Sequence, residues 1–271
     1  MGRVQSPSSI NTFKQCPRKY YYSYILKLPK STNIHCIRGN IVHEVLENFF
    51  NINLENTNQS NFVPKFSSHL KNLFYDKWEG KKGELKELNL SQEDLQFYFQ
   101  DSLMMLANWV NTIIQKMNQK METSTFEEAF NYIKPDLIEA KYSSETYKIM
   151  GYIDSIHLKD GKVKIMDYKT SKSAEMKPEY KLQLGIYALL YQEQHNKLPD
   201  EVGLWILKHG ETILPVTEQL IQDTKFEIEQ IHLCTETDDI IDYQKKQSPL
   251  CKWHSGQCEF YNKCFNIKNS K

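Results

Sequence analysis

The chain has 271 residues, 40% of them hydrophobic, with 34 Lys plus Arg balanced by 34 Asp plus Glu. That length suits one large α/β domain or two small ones, and the zero net charge excludes bulk attraction to a polyanion, so any nucleic-acid contact must rest on a local basic strip. The N-terminus lacks a signal-peptide core, and no apolar run nears the ~18 residues that cross a membrane, which predicts an intracellular protein, cytoplasmic or nucleoid-associated, with no membrane partner.

Taken in order, the first element sets Arg18 and Lys19 beside Tyr20, Tyr21, Tyr22 and Tyr24. Basic residues mixed with aromatics suit single-stranded nucleic acid, and the same tyrosines suit a buried anchor. Ile41, Val42, Val45, Leu46, Phe49 and Phe50 then predict a mostly buried helix with His43, Leu46, Glu47 and Phe50 on one side. A lone histidine on such a face reads as a hydrogen-bonded structural residue or as a ligand. Residues 51–60 are polar and predict a loop, and Gly80 and Gly83 punctuate the stretch beyond it. Leu95, Phe99, Leu103, Leu106, Val110, Ile113 and Met117 recur at three- or four-residue intervals, which predicts one long amphipathic helix over 91–119. Residues 51–130 thus read as a helical insertion covering a core. Beyond them come a strand at 137–142 and a helix at 179–194 with Leu182, Ile186, Leu189 and Leu190 against a sheet. A strand at 202–208, a His209-Gly210 turn, a strand at 212–216, a helix at 218–233 and a cysteine-bearing tail complete the chain.

Between 151 and 170 lies the most informative segment. Asp160-Gly161, between apolar-rich runs, signals a two-residue type I′ hairpin turn. Such a turn pairs Lys159 with Lys162, and counting back along both strands sets Asp154 opposite Asp167, with Lys169 on the same face as Asp167. Opposed carboxylates need a shared proton or a cation between them. Hard divalent ions such as Mg²⁺ or Mn²⁺ take oxygen ligands and retain waters, so two acids and a substrate phosphate suffice, and an ammonium nearby can orient water or neutralise developing charge. The pattern points to metal-dependent phosphodiester cleavage. The same residues also suit the solvated face of an ordinary hairpin, with Lys169 as a cross-strand ion-pair partner.

Four blocks in order now carry a resemblance. Residues 6–22 contain Cys16-Pro17-Arg18-Lys19-Tyr20, Gly39 stands four before His43, Gly151-x-x-Asp154 precedes Asp167-Tyr168-Lys169, and Gln183 stands four before Tyr187. Together they resemble the PD-(D/E)XK nucleases, in particular the RecB-like branch that includes CRISPR-associated RecB-like nucleases, AddB and exonuclease V-type enzymes. The resemblance implies an α/β restriction-endonuclease-like mixed sheet flanked by helices, acting as a Mg²⁺- or Mn²⁺-dependent DNase. It implies metal ligation by His43, Asp154, Asp167 and the Tyr168 carbonyl, catalytic assistance from Lys169, and support of substrate or lysine by Gln183 and Tyr187. Glu139 matches an acidic position upstream, or is an ordinary strand acid. It further implies single-stranded DNA ends as substrate, in repair, recombination or CRISPR spacer acquisition, with a helicase or CRISPR adaptation protein as partner. A non-catalytic DNA-binding or scaffold subunit is the reading from another class; such a protein is expected to have lost a metal acid or the lysine, and all are present. A third class is a zinc-stabilised RNA-binding protein.

The tail gives Cys251-x6-Cys258-x5-Cys264. With Cys16 this distribution resembles the iron–sulfur members of the branch, which implies a 4Fe-4S cluster on Cys16, Cys251, Cys258 and Cys264 that packs residues 245–271 against the N-terminal block of a single nuclease domain. His254 stands where a second cysteine is common in that branch, which keeps Zn²⁺ on four cysteines, or on three and a histidine, as the other occupant. Cys36 and Cys234 are expected to have no chemical role.

Overall fold

In a computed structural model the protein is described over residues 3–253 and 256–267. Ser6 caps α1 (Pro7–Gln15) through a reciprocal pair with Ser9, and α2 (Pro17–Tyr20) runs on into a π-turn over Tyr21–Ile25. Asn33 caps α3 (Ile34–Phe49) by accepting from the Cys36 amide. Helices α4 (Phe62–Gly80), α5 (Lys82–Glu87), α6 (Gln92–Met121) and α7 (Phe126–Ile133) fill the region read as an insertion. The long α6 has its termini set by local chemistry: Ser91 accepts from the Asp94 amide, Glu93 and Asp94 occupy the first turn and Lys120 the last, each sign matching the helix dipole.

Five strands form the sheet in the order β1 (Leu137–Ser144), β2 (Ile149–Lys159), β3 (Lys162–Lys169), β4 (Glu201–Ile206) and β5 (Gly210–Pro215). Neighbours are antiparallel except β3 and β4, which are parallel and joined through α8 (Pro178–His195), as a parallel pair requires. The mixed α/β architecture is the one expected. Asp160 and Gly161 both take positive φ, 52° and 74°, and Lys159 pairs with Lys162. A type I′ turn demands that conformation at both central positions.

Each face of the sheet carries its own core. On one side Met166, Tyr168 and Trp205 meet Phe49 of α3, Phe66 and Phe74 of α4 and Trp109 of α6. On the other, Ile153, Ile165 and Leu204 meet α8, whose residues 184–191 are all buried because α1 and α9 (Glu218–Cys234) cover its outer side. A third cluster joins the chain ends: Tyr20, Tyr21 and Tyr22 pack with Tyr243 and Phe260. Those tyrosines are therefore buried anchors, and the reading of Tyr20 to Tyr22 as a base-stacking platform is corrected. Beyond lie the short β6 (Lys252–Trp253), β7 (Gly256–Gln257) and α10 (Tyr261–Cys264).

One buried charge group fixes α3 relative to the sheet. Arg38 of α3 donates to Asp101 of α6 at 2.7 Å, and Lys208, just beyond β4, donates to the other Asp101 oxygen. Burial opposes ionisation of Asp101, but the two cations outweigh it and hold its pKa below the usual aspartate value. Removing one member of a buried pair leaves the other charge without compensation. Asp101→Ala is expected to destabilise by about 3 kcal/mol, lowering the thermal midpoint by roughly 6–12 °C. Because the folded pKa is depressed, this contribution is complete above the unfolded value and disappears as pH falls through the folded one. The gap in melting temperature between wild type and Asp101→Asn should accordingly close in acid, which a pH series of thermal melts will read.

Candidate active site

The sheet opens where the acids meet. Hydrogen-bonded pairing of β1 with β2 runs Leu137↔Ile156 and Ile138↔Ser155, skips one position and resumes at Ala140↔Ile153. The skipped residues are Glu139 and Asp154. Glu139 has φ 49°, a left-handed conformation inside a strand, of a kind that costs roughly 1–3 kcal/mol for a non-glycine residue and concentrates at functional sites. Pairing of β2 with β3 likewise stops at Ser155↔Met166, one step before Asp154 and Asp167. Continuing the count still sets those two opposite, but the Tyr168 amide leaves the ladder and donates to Asp154 Oδ2 at 2.8 Å.

Into this opening α3 lowers His43, whose Nδ1 lies 3.5 Å from Asp154 Oδ2, with 33% of the side chain left open to solvent. One ligand atom each from His43, Glu139 and Asp154 fall within 4.8 Å of one another. Beside them is a cavity of about 10 Å³, lined also by Glu47, Ser155 and Tyr168, the room one water or ion occupies. Burial and the nearby Asp167 push the Asp154 carboxyl well above its usual pKa, against the Tyr168 amide. Glu139 is raised by burial, Glu47 and Asp167. Burial, aided by Lys169, lowers His43, the Asp167 charge and the Tyr168 backbone hydrogen bond only partly offsetting it. A neutral imidazole with acids that resist ionisation in each other's company is the donor set a divalent cation satisfies.

Asp167 stands to one side of this trio and is held by a second network. Its Oδ1 accepts from Gln183 Nε2 at 3.0 Å, and Gln183 Oε1 accepts from Lys169 Nζ at 2.9 Å. The same Gln183 nitrogen donates to the Tyr187 hydroxyl at 2.8 Å. Lys169 Nζ lies 2.7 Å from Asp167 Oδ2, yet no donor is aligned with that oxygen, which is buried without a hydrogen-bond partner. The contact is one of charge, and Oδ2 keeps lone pairs for a cation. Burial works against the Lys169 ammonium, but Asp167 and Asp154 outweigh it and raise its pKa, so it is charged at neutral pH. Gly151 has its own reason here: a Cβ would stand 3.3 Å from the Tyr187 ring and 3.4 Å from Leu190, so the bare strand lets α8 approach and deliver Gln183.

The structure thus gathers His43, Glu139, Asp154, Asp167, the Tyr168 backbone, Lys169, Gln183 and Tyr187 at one end of the β2–β3 pair. Two further residues join them. Glu47 follows His43 by four on α3, and Tyr180, whose ring centroid is 5.4 Å from Lys169 Nζ, precedes Gln183 by three on α8; helical spacing was the available signal for both. Arg18 and Lys19 are elsewhere. Arg18 donates to the carbonyls of Tyr243 and Ile240, and Lys19 pairs with Glu259 at 3.2 Å, so both bind the C-terminal segment.

Cys16, Cys251, Cys258 and Cys264 line a single cavity of about 30 Å³. Burial raises the thiol pKa of Cys258 and Cys264, and Cys16 and Cys251 add to the rise at Cys264. Cys36 and Cys234 are exposed and lie outside it. His254 lies outside the described residues.

A family model described as the PD-(D/E)XK nuclease superfamily matches residues 5–265. A crystal structure of a Eubacterium rectale protein named "Putative exonuclease" superposes with a TM-score of 0.51 at 13% identity, over 99% of this chain and 90% of that one; at that identity the likeness is one of fold. No curated protein matches. The family match runs from the cap of α1 through the open sheet to the last cysteine, and the chain belongs to the PD-(D/E)XK nuclease superfamily.

Proposed function

We propose that the protein is a Mg²⁺- or Mn²⁺-dependent deoxyribonuclease, and that it acts as an exonuclease preferring single-stranded ends. The observation that carries this reading is the open sheet end, where the His43, Glu139 and Asp154 donors converge beside the Asp167–Lys169 ion pair. His43, Asp154, Asp167 and the Tyr168 carbonyl would hold the ion, with Glu139 closing the set. When bound, such an ion supplies a lowered water pKa and positive charge at the phosphoryl oxygens. Lys169 is kept charged by Asp167 and aimed by Gln183, so it can donate to the attacking water or to a phosphate oxygen as negative charge develops there. Tyr187 fixes Gln183, and through it the lysine. Residues 51–130 are read as an insertion within a single nuclease domain. Roles in repair, recombination or CRISPR spacer acquisition, beside a helicase or adaptation protein, belong to the same reading. A scaffold without activity would not need Lys169 held in this network.

The four cysteines are read as ligands of a 4Fe-4S cluster. Four thiolates are what such a cluster needs, and these four line one cavity.

End-labelled single- and double-stranded DNA, incubated with Mg²⁺, Mn²⁺ or EDTA, tests the activity. Asp167→Ala and Lys169→Ala are each expected to lower the cleavage rate by at least ~10²-fold in protein that remains folded by circular dichroism; near-normal rates would remove the site assignment. For His43→Ala the expected defect is milder, because water can replace one ligand. Its metal titration should shift its midpoint upward by at least ~10-fold, the loss that accompanies even removal of a group supporting a ligand. An unmoved midpoint ends the ligand role. Anaerobically purified protein should carry iron and absorb in the visible blue, and Cys258→Ala should bleach it and lower its thermal midpoint. Zinc in the metal analysis would keep the cage and change its occupant.

A further inference from the structure

A second cleft, of about 630 Å³, opens at the far end of the β2–β3 hairpin, between the turn, the C-terminal half of α6 and the end of α7. Five lysines line it: Lys116 and Lys120 from α6, and Lys159, Lys162 and Lys164 from the hairpin. Only two lining residues are acids, Asp160 and Glu201, and Asp160 is occupied by the Tyr132 hydroxyl at 2.6 Å. Three of the lysines have structural duties. Lys116 pairs with Glu211, Lys159 with Asp136, and Lys120 sits 3.9 Å from the centroid of the Tyr132 ring. Lys162 and Lys164 have no carboxylate within 4.0 Å among the described residues, and Lys162 is exposed.

The hairpin opposes folding at this end. Lys159 lies directly across from Lys162, and like charges so placed destabilise an antiparallel pair. His157, across from Lys164, is held neutral, its pKa lowered to about 3 by desolvation and then by Lys164, Lys159 and Lys116. A chain of zero net charge has concentrated a positive field here at the expense of its own hairpin, and local choices that oppose the fold mark functional sites.

The cleft lies along the same strand pair as the active site, and residues of one small core cavity line both. The cavity beside His43 and Glu139 shares Phe50, Pro135 and Tyr168 with a second cavity, which in turn shares Ile133, His157 and Lys164 with the basic cleft. Asp154 and Lys159 are five residues apart on β2, about 17 Å at ~3.3 Å per residue. Resting on the nuclease reading above, we infer that this cleft binds the phosphodiester backbone of the same nucleic-acid strand, a few nucleotides from the bond being cut.

The test is Lys162→Ala/Lys164→Ala, two positions with no ion pair to lose. Binding is read by fluorescence anisotropy in EDTA over a salt series. The probes are DNA of about 20 nucleotides and a dinucleotide, the latter too short to reach from the cut to either lysine. Affinity of the longer strand should fall about tenfold, and the slope of log K against log salt should fall by about 1.4, at ~0.7 for each single-strand phosphate no longer neutralised. Binding and cleavage of the shorter DNA should be unchanged, and Lys162→Arg/Lys164→Arg should restore the longer. A control lacking Lys71 and Lys86, both exposed and outside the cleft, measures the effect of net charge alone. Unchanged binding and slope for the longer strand, or a loss no greater than in the control, would overturn the inference. Loss of long-strand binding in a protein that cleaves no DNA under any metal would sink the proposed activity and leave the cleft standing. Cleavage of the short DNA with long-strand binding unmoved would sink the cleft alone.

Discussion

Three carboxylates share one poorly solvated end of the sheet, and most of the surrounding structure answers their mutual repulsion. Asp154 is 9% exposed and Asp167 1%, with Glu139 beside them. At such burial like charges interact far more strongly than in water. Each acid has accordingly been given a different remedy. Asp154 receives the Tyr168 amide, Asp167 receives Lys169 and Gln183, and Glu139 faces His43 and the small cavity. What remains is the acidic pull of the three carboxylates on one small space, which a divalent ion would relieve.

These remedies explain irregularities that are otherwise unfavourable. A strand pair that continued past Ser155↔Met166 would use the Tyr168 amide in the ladder, where Asp154 could not reach it. Interrupting the ladder supplies that donor and also changes which residues face α8: Ile153 and Ile156 both pack on that side although they are three apart, where strict alternation would put them on opposite faces. The left-handed backbone at Glu139 is the matching distortion on β1. Bringing helices to the opening takes two further devices, the Arg38–Asp101–Lys208 group that seats α3 and the bare Gly151 that admits α8. Catalytic geometry and folding stability are thus set by the same few contacts.

How far the sequence revealed this depends on the range of the forces involved. The hairpin was legible because Asp160-Gly161 dictates a local turn, and the turn dictates register, which is why counting alone set Asp154 against Asp167. The long helix was legible from its apolar period, expected over 91–119 and found at Gln92–Met121. Capping explains the difference, since Ser91 is the cap and lies outside the helix proper. The left-handed Glu139 was hidden, because nothing in Leu137-Ile-Glu-Ala forbids a regular strand and the conformation is imposed by neighbours far away in sequence. Arg18 and Lys19 looked free for the same reason: their partners, the carbonyls of residues 240 and 243 and the Glu259 carboxylate, come from the other end of the chain. Within the basic cleft, Lys162 and Lys164 share one strand face through local alternation. Lys116 and Lys120 join them only through the packing of α6.

The joining of the two chain ends bears on what a cluster would do for the fold. Tyr20 stacks on Tyr243 with ring centroids 6.0 Å apart and planes within 6° of parallel, Phe13 meets both edge-on, and Tyr22 meets Phe260. Arg18 ties the same segment through two backbone carbonyls. Aromatic burial on this scale holds the N-terminal block against residue 243 before any thiolate is engaged. The cysteines act farther out, on the segment 251–264, whose described elements are short strands and a single helical turn. Metal binding there would add to a junction already formed, so its loss would be felt first in that tail and only then, through α1 and α8, at Asp167 and Lys169.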